Sequence, residues 1–260
     1  MSTIIISDIY GNYKKFIKFK KTIKKYNKYL FIGNIINNKY ESLKIIKNII
    51  SMKNNVKIIL GNNELHLLAI FYGASPFIKK DVLNNIYNSK EKDKIIDWLK
   101  NQTLAMYYKN FLIVHAGVLP QWDLQKTLNL AKEIKDILNS NKCFNFLKYI
   151  YNNYNKKNII WNDNLSGYNR LLCINNALTR IRYCNSKGLI NFKKKKNKKK
   201  IIPWFKISWR KTKDINILFG HWSNFKLIKT KNIFCINNGC AWGGKLTTIK
   251  IKNQKIIKIF

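Results

Sequence analysis

A chain of 260 residues with 46% hydrophobic and 13% aromatic residues can bury a full core, which excludes a disordered polypeptide. Its 50 Lys and Arg residues against 12 Asp and Glu residues give a formal net charge of +38, a balance typical of proteins with polyanionic partners. Because the basic residues are almost all lysines, and Lys, Asn and Ile share A/T-rich codons, we attribute most of the charge to base composition rather than to nucleic-acid binding.

The five cysteines are an odd set without CxxC spacing. This pattern argues against a disulfide scaffold or a zinc knuckle and indicates a reducing compartment. The chain enters a strand-like run at once, without room for a signal peptide, and no apolar run approaches the length of a membrane span. We therefore expect a cytoplasmic protein that does not enter the membrane.

Strands and helices alternate along the first half of the chain, which predicts an α/β domain. Apolar runs predict strands over residues 3–6, 29–32, 56–60, 111–114, 215–219, 233–236 and 246–251. Helical periodicity predicts helices over residues 13–29, 43–52, 77–99 and 125–154. No linker divides the chain, so we expect a single domain over residues 1–260, with a solvated Lys-rich loop near residues 193–200.

Five of the predicted strands end in polar turns. The residues in these turns are Asp8, Asn34, Asn62 with Asn63, His115 and His221. One such turn would more often be structural, but binding sites of α/β domains collect at the carboxyl ends of strands. Oxygen and imidazole ligands without thiolate suit Mn²⁺, Fe²⁺, Mg²⁺ or Zn²⁺, so the pattern predicts a metal-dependent hydrolase.

The order of these motifs resembles the calcineurin-like metallophosphoesterases of the phosphoprotein-phosphatase type. The segments that carry the resemblance are SDIYGN, GNIINN, GNNELHLL, a His-Ala-Gly element and FGHW. Longer segments resemble the symmetrical bis(5'-nucleosyl)-tetraphosphatases (diadenosine tetraphosphatases) within that group, namely HAGVLPQWDLQ, NALTRIRYC, PWF and NNGCAWGGKLT. The resemblance runs nearly end to end, with only the Lys-rich loop outside it.

The resemblance implies a four-layer α/β/β/α fold, in which two packed mixed β-sheets are flanked by helices. It implies two divalent metal ions (Mn²⁺, Co²⁺ or Mg²⁺) at which water attacks a phosphate and diadenosine tetraphosphate is split into two ADP. Carried over residue by residue, Asp8 matches a ligand of the first metal, and Asn34 stands where an Asp bridges both metals. Asn62, His115 and His221 match ligands of the second metal.

Two further roles follow from the resemblance and from side-chain chemistry. Arg180 or Arg182 would clamp a substrate phosphate, since a guanidinium fork matches phosphate oxygens. Four tryptophans are candidates to stack on adenine, although most would more ordinarily be buried in the core: Trp122, Trp161, Trp204 and Trp242.

Several substitutions depart from the family pattern. Tyr10 replaces a metal-binding His, Asn34 replaces the bridging Asp, and Asn38 stands where a phosphate-binding Arg belongs. Asn63 and Glu64 occupy the positions of the catalytic acid pair, with Asn63 in place of the His. An Asn cannot act as a general acid, a role typically worth about 10²–10⁴-fold in rate.

The charge of the matched ligands also departs from the pattern. Two dications bring roughly +4 into a site, and Asp8 is the only carboxylate among the matched ligands. We therefore predict one weakly held metal at the Asn62–His115–His221 side, or none.

Three functions follow in order of preference. The first is symmetrical hydrolysis of a small-molecule dinucleoside polyphosphate, weakened by the substituted site residues. The second is a catalytically decayed family member that binds nucleotide or polyphosphate without cleavage. The third is a nucleic-acid binder driven by the lysines, which we do not expect because arginines and aromatic residues are not concentrated as such binders require.

Overall fold

The computed structural model describes residues 2–22, 28–37, 41–75, 84–154, 160–192, 201–222, 227–252 and 255–259. Two features singled out in the sequence, the Lys-rich run 193–200 and Asn38, lie outside these residues.

The first sheet joins the two ends of the chain. Its strands are β1 (Thr3–Ile6), β2 (Lys28–Phe31), β3 (Val56–Ile58), β12 (Thr248–Lys252) and β13 (Lys255–Ile259). They lie in the order β13-β12-β1-β2-β3, with β1, β2 and β3 parallel and β12 antiparallel to both neighbours. Parallel pairing places the carboxyl ends of β1, β2 and β3 at one edge, where the turns after them meet.

The second sheet is also mixed. Its strands are β4 (Ala105–Tyr108), β5 (Phe111–Val114), β9 (Asn216–Phe219), β10 (Ile228–Lys229) and β11 (Ile233–Cys235). They lie in the order β10-β11-β9-β5-β4, with β11, β9 and β5 parallel. A small antiparallel sheet is formed in addition by β6 (Tyr183–Asn185), β7 (Ile190–Asn191) and β8 (Ile201–Pro203), an element that the resemblance did not predict.

An apolar layer lies between the two large sheets. Ile5 and Ile249 of the first sheet share it with Ile113 and Leu218 of the second, and all four are fully buried. The alternate residues of the same strands face the helices, as for Ile4 and Ile6 of β1. The predicted α/β fold of two packed mixed sheets flanked by helices is confirmed.

The helices begin and end as follows. They are α1 (Tyr13–Thr22), α2 (Ser42–Ile50), α3 (Asn62–Phe71), α4 (Asn84–Tyr87), α5 (Lys92–Lys100), α6 (Leu124–Leu138), α7 (Cys143–Asn152) and α8 (Gly167–Arg180). Within the described ranges, none of them is both long and apolar enough to cross a membrane.

Three predicted helices were too long, and one helix and six short strands were not predicted: α8, β4, β6, β7, β8, β10 and β13. The predicted helix 13–29 runs past the start of β2, because Lys28 must already pair with Thr3 in the sheet. The predicted helix 125–154 is two helices, α6 and α7. The break lies at Asn139 and Ser140, whose side chains donate hydrogen bonds to backbone carbonyls of α6 and so compete with the backbone bonds of a continuous helix. The described part of 77–99 likewise holds two helices, α4 and α5. Strand β4 lies at a sheet edge with a mixed burial pattern that gives little signal in the sequence.

Candidate active site

Side chains that follow five different strands meet where the carboxyl ends of the two large sheets come together. Nδ2 of Asn34 lies 3.2 Å from Oδ2 of Asp8 and 3.3 Å from Oδ1 of Asn62. Nε2 of His115 lies 3.3 Å from that same Oδ1, and the rings of His115 and His221 are 5.2 Å apart between centroids. The fold thus brings all the predicted ligand positions together; their role as metal ligands stays a prediction.

The backbone is bent unusually at three of the site turns. Tyr10, Asn34 and His221 have φ angles of 52°, 46° and 63°. Residues other than Gly rarely adopt this left-handed region, and such strain persists where the surroundings fix it, often at functional sites.

Two glycines allow the turns to approach so closely. A Cβ at Gly33 would lie 2.7 Å from Nδ1 of His115 and 2.6 Å from the backbone nitrogen of Gly61. A Cβ at Gly220 would overlap the carboxylate of Asp8. Any side chain at either position would therefore push the polar groups of the site apart.

The hydrogen bonding of His115 fixes its tautomer. Its Nδ1 lies 2.6 Å from the carbonyl oxygen of Ile32, which can only accept, so Nδ1 carries the proton and Nε2 is a free acceptor. Burial lowers the pKa of His115 to about 4, which keeps the ring neutral. A neutral imidazole with one nitrogen held by a carbonyl and the other free is the arrangement typical of a metal ligand.

One ring nitrogen of His221, Nδ1, is buried without a hydrogen-bond partner. The backbone N–H of His221 donates to Oδ1 of Asp8 at 3.2 Å, and its ring donates to the backbone carbonyl of Arg180. Burial holds the pKa of His221 well below its usual range, so Nδ1 is an acceptor. A buried acceptor without a partner is costly unless a ligand satisfies it.

The donor groups differ in chemistry between the two sides of the site. Nε2 of His115, Nδ1 of His221 and Oδ1 of Asn62 are nitrogen and oxygen donors suited to a divalent ion. Around Asp8 the other groups are the phenol of Tyr10 and the Nδ2 of Asn34, and an amide NH₂ cannot ligate. Across the described ranges, no cluster of three or more His, Cys, Asp and Glu side chains could hold a metal.

Asp8 has unusual electrostatics. Its carboxylate is fully buried, and burial raises its pKa to about 7 in spite of hydrogen bonds from His221, Asn34 and Tyr10. Burial and the nearby Asp8 charge together raise the pKa of Tyr10 above its usual range, so the phenol keeps its proton. The Asp8 side of the site is therefore a hydrogen-bonded network of one carboxyl, one phenol and one amide.

The positions of the predicted catalytic pair have different surroundings. The carboxylate of Glu64 is buried and accepts hydrogen bonds from the backbone N–H groups of Asn34 at 2.8 Å, Gly61 at 2.9 Å and Ile35 at 3.0 Å. It holds the turn after β2 against the turn after β3. Asn63 donates to the carbonyl of Ile36 at 2.8 Å. A catalytic role for this pair stays a prediction. The positioning role of Glu64 was not predicted, because no local sequence pattern indicates a contact 30 residues away.

The two arginines that are candidates to bind phosphate differ in how far their guanidinium groups are enclosed. Arg180 is 8% exposed, its guanidinium lies between the rings of Tyr154 and Phe192, and it donates to Oδ1 of Asn176 at 3.1 Å. Arg182 is half-buried and donates to the backbone carbonyl of His221 at 3.3 Å. Its charge helps to lower the pKa of both site histidines, so it lies beside them.

The candidate tryptophans separate into two groups. Trp122, Trp161 and Trp204 are buried, as core residues are, whereas Trp242 is 78% exposed. Trp242 lies in the segment 237–247, which follows β11 and which we call the glycine loop.

The sequence did not predict the contacts that anchor the glycine loop. Nζ of Lys15, in the first turn of α1, donates to the carbonyl oxygen of Cys240 at 3.1 Å and to that of Gly244. Sγ of Cys240 lies 3.7 Å from the carbonyl oxygen of Ile9, the residue after Asp8. One Lys among so many carries no signal in the sequence, so only the folded structure reveals this contact.

The family model of the calcineurin-like phosphoesterases matches residues 1–142. A symmetrical bis(5'-nucleosyl)-tetraphosphatase of Janthinobacterium sp. (strain Marseille) is 36% identical over 88% of this chain and 84% of its own length. The protein of the same name from Nitrosomonas europaea is 32% identical over 100% of this chain and 98% of its own length. A solved structure of a provisionally assigned diadenosine tetraphosphatase has a TM-score of 0.63 at 15% identity, covering 98% of this chain and 91% of that one.

The fold and the converging Asp, Asn and His side chains define a calcineurin-like phosphoesterase, a class of hydrolases that use divalent metals. Identity above 30% over nearly the whole length is more specific than the fold. Within that class, the chain belongs to the family of symmetrical bis(5'-nucleosyl)-tetraphosphatases. The resemblance found in the sequence is confirmed.

Proposed function

We propose that this protein binds a dinucleoside polyphosphate, with diadenosine tetraphosphate as its substrate, and cleaves it symmetrically into two ADP at a reduced rate. The relatives named as symmetrical tetraphosphatases support the substrate class. The observation that carries the proposal is the pair of free imidazole nitrogens on His115 and His221 beside the amide oxygen of Asn62. Nδ1 of His221 is buried without a hydrogen-bond partner, and Nε2 of His115 faces the Oδ1 of Asn62, so a metal ion at a phosphoesterase site would satisfy both nitrogens.

We propose that one weakly held divalent ion, Mn²⁺, Co²⁺ or Mg²⁺, binds at Asn62, His115 and His221. Such an ion supplies polarisation of a phosphate oxygen and activation of the attacking water when bound. Three neutral donors hold a dication less tightly than a set that includes carboxylates, because they add no opposing charge. After dialysis against buffer without metal, elemental analysis should find fewer than one equivalent per chain. Two tightly bound equivalents would contradict this part of the proposal.

The protein's own residues would position the substrate. We assign the phosphate clamp to Arg182 rather than to Arg180, because the guanidinium of Arg180 is enclosed by Tyr154 and Phe192. A half-buried guanidinium beside two neutral histidines can offer a fork of N–H donors to phosphate oxygens. The carbonyl oxygen of His221, held by Arg182 at 3.3 Å, fixes the direction of that fork.

The reduced rate rests on the site substitutions. Nδ2 of Asn34 donates to Asp8 and to Tyr10 at 3.2 Å each, so it stabilises this side of the site without any ion. Asn63 cannot donate a proton to the leaving phosphate, although Asp8, with a pKa raised to about 7 by burial, lies in the same network. Binding without cleavage is the second candidate function, and the self-sufficient Asn34 network is the observation that favours it.

One experiment distinguishes these functions. The purified protein is incubated with diadenosine tetraphosphate and Mn²⁺ or Co²⁺, and the nucleotides are separated by anion-exchange chromatography. ADP as the sole product supports symmetrical hydrolysis, whereas AMP with ATP would contradict it. Intact dinucleotide that nevertheless binds in calorimetry would leave the binding function in its place.

We also propose a single domain over residues 1–260, a cytoplasmic location and no dependence on nucleic acid. The pairing of β1 with β12 supports one domain, because it joins residues from opposite ends of the chain. The five cysteines are buried and none of them forms a disulfide, which supports a reducing compartment. A DNA-binding titration at low and at physiological salt tests whether nucleic acid is a partner. Binding driven only by the lysines would weaken steeply as salt rises, whereas a tight complex that resists salt would contradict the proposal.

A further inference from the structure

The exposed indole of Trp242 is not explained by the core or by the metal-binding groups. Its side chain is 78% exposed, more than any other large hydrophobic residue in the described ranges. An aromatic ring of this size is ordinarily buried or kept for a binding surface.

The loop that carries this indole is held rigidly. Gly239 and Gly243, on either side of the short 3-10 turn, have φ angles of 67° and 89°, which only glycine adopts readily. The backbone N–H of Gly244 donates to the carbonyl oxygen of Gly239 at 2.9 Å, and Lys15 ties the loop to α1. Trp242 is thus presented in a fixed position, which reduces the entropy lost when a ligand binds.

The loop also borders the candidate active site. Sγ of Cys240 lies 3.7 Å from the carbonyl oxygen of Ile9, the residue that follows Asp8. The loop therefore lies against the turn that carries Asp8. The backbone N–H of Ser7 donates to the carbonyl oxygen of Thr247 at 3.0 Å, which fixes the other end of the loop beside the same turn.

A cavity of about 560 Å³ lies between α1 and the glycine loop, and its lining includes Gly243, the residue that follows Trp242 in the chain. Ile4, Phe19 and Leu246 give it an apolar lining, and Lys18 and Lys245 contribute positive charge. Small-molecule sites typically have volumes of about 300–1,000 Å³ with apolar linings and a few polar groups. A flat heteroaromatic group that is attached to phosphates matches this combination of apolar surface, exposed ring and lysines.

We propose that Trp242 and this cavity receive one nucleobase of the bound dinucleoside polyphosphate, with the base stacked on the indole. The inference rests on the proposed function, since it assumes that the phosphates lie at Asp8, Arg182 and the two histidines. The stack makes Trp242 a specificity-determining residue: it distinguishes a nucleotide from a bare polyphosphate without contacting the phosphate that is cleaved.

The test compares two probes by calorimetry: a non-hydrolysable methylene-bridged analogue of diadenosine tetraphosphate, and inorganic tripolyphosphate, which has no base. Trp242→Ala should weaken binding of the analogue by about 5- to 150-fold, the range of base–aromatic stacking, and leave tripolyphosphate unchanged. Trp242→Phe should retain most of the affinity. Trp209→Ala is the matched control, because Trp209 is also exposed, at 45%, and lies outside the glycine loop.

The outcomes separate this inference from the proposed function. If wild-type protein binds both probes and Trp242→Ala changes neither, or weakens both equally, the base subsite is overturned while the proposed function stands. An equal loss of analogue binding in Trp209→Ala would also overturn it. If wild-type protein binds neither probe, the proposed function fails and this inference fails with it.

Discussion

The Nδ2 group of Asn34 donates a hydrogen bond to Oδ2 of Asp8 over 3.2 Å, in the middle of the site. The same nitrogen lies within 3.3 Å of Oδ1 of Asn62, so one neutral amide links residues from three strand ends. In the family pattern a carboxylate belongs at this position. The substitution exchanges a group that attracts cations for one that donates hydrogen bonds.

Restoring the carboxylate should restore metal binding. Asn34→Asp places a second carboxylate beside Asp8, so the two repel each other without metal and share a cation when it is present. We expect Mn²⁺ affinity to rise by about 10- to 100-fold, the scale on which groups around a metal act, and Tm to become dependent on Mn²⁺. Titration calorimetry and thermal melts with and without Mn²⁺ measure both effects. Asn54→Asp adds the same charge at an exposed position and should change neither.

Restoring the acid as well should restore turnover. The double variant Asn34→Asp with Asn63→His regains a proton donor for the leaving phosphate. We expect ADP release from diadenosine tetraphosphate to exceed that of Asn34→Asp alone by about 10²–10⁴-fold. Initial rates by chromatography give this ratio directly. An unchanged rate in the double variant would show that position 63 does not face the leaving group.

Glu64 should contribute to stability through its hydrogen bonds. Glu64→Gln leaves backbone N–H groups of two buried turns facing an amide that is itself partly a donor. Unsatisfied buried groups cost about 1–3 kcal/mol, so the free energy of unfolding should fall by about that amount. Urea denaturation measures it. Glu41→Gln serves as the control, because the Glu41 side chain makes no capping hydrogen bond, and a loss of the same size there would contradict the role given to Glu64.

Substitution of Arg182 should change phosphate binding, whereas substitution of Arg180 should change the free energy of unfolding. Arg182→Ala should weaken tripolyphosphate binding by about 10- to 150-fold, the equivalent of one charge-assisted hydrogen bond of about 1.5–3 kcal/mol, with little change in unfolding free energy. Arg180→Ala should instead lower the unfolding free energy by about 2–4 kcal/mol, because it removes a guanidinium packed between Tyr154 and Phe192. Calorimetry and urea denaturation of both variants give the comparison. The reverse pattern would assign the phosphate clamp to Arg180.

Much of the site could be predicted from the sequence because it depends on local patterns. Short apolar runs that stop at Gly33, Gly61 and Gly220 mark strands followed by tight turns, and a polar residue after such a stop lies at the carboxyl end of its strand. Since neighbouring parallel strands align these ends, Asp8 after β1 and Asn34 after β2 could be expected from the sequence to lie near each other.

Contacts between distant segments could not be predicted in this way. The bonds from Glu64 to the turn after β2, and from Lys15 to the glycine loop, join residues 30 and 225 positions apart. Nothing in the neighbourhood of either residue encodes its partner, and both residue types are ordinarily exposed.

The sequence by itself determined the α/β class, the family and the set of residues at the strand ends, because strand and turn propensities and family motifs are local properties of the chain. Only the tertiary structure decided which nitrogen of His115 and of His221 is free, which arginine faces the site and which tryptophan is exposed. Those features depend on how segments far apart in the sequence pack against one another. Packing determines the burial, the tautomer and the direction of each side chain, and no local sequence pattern contains that information.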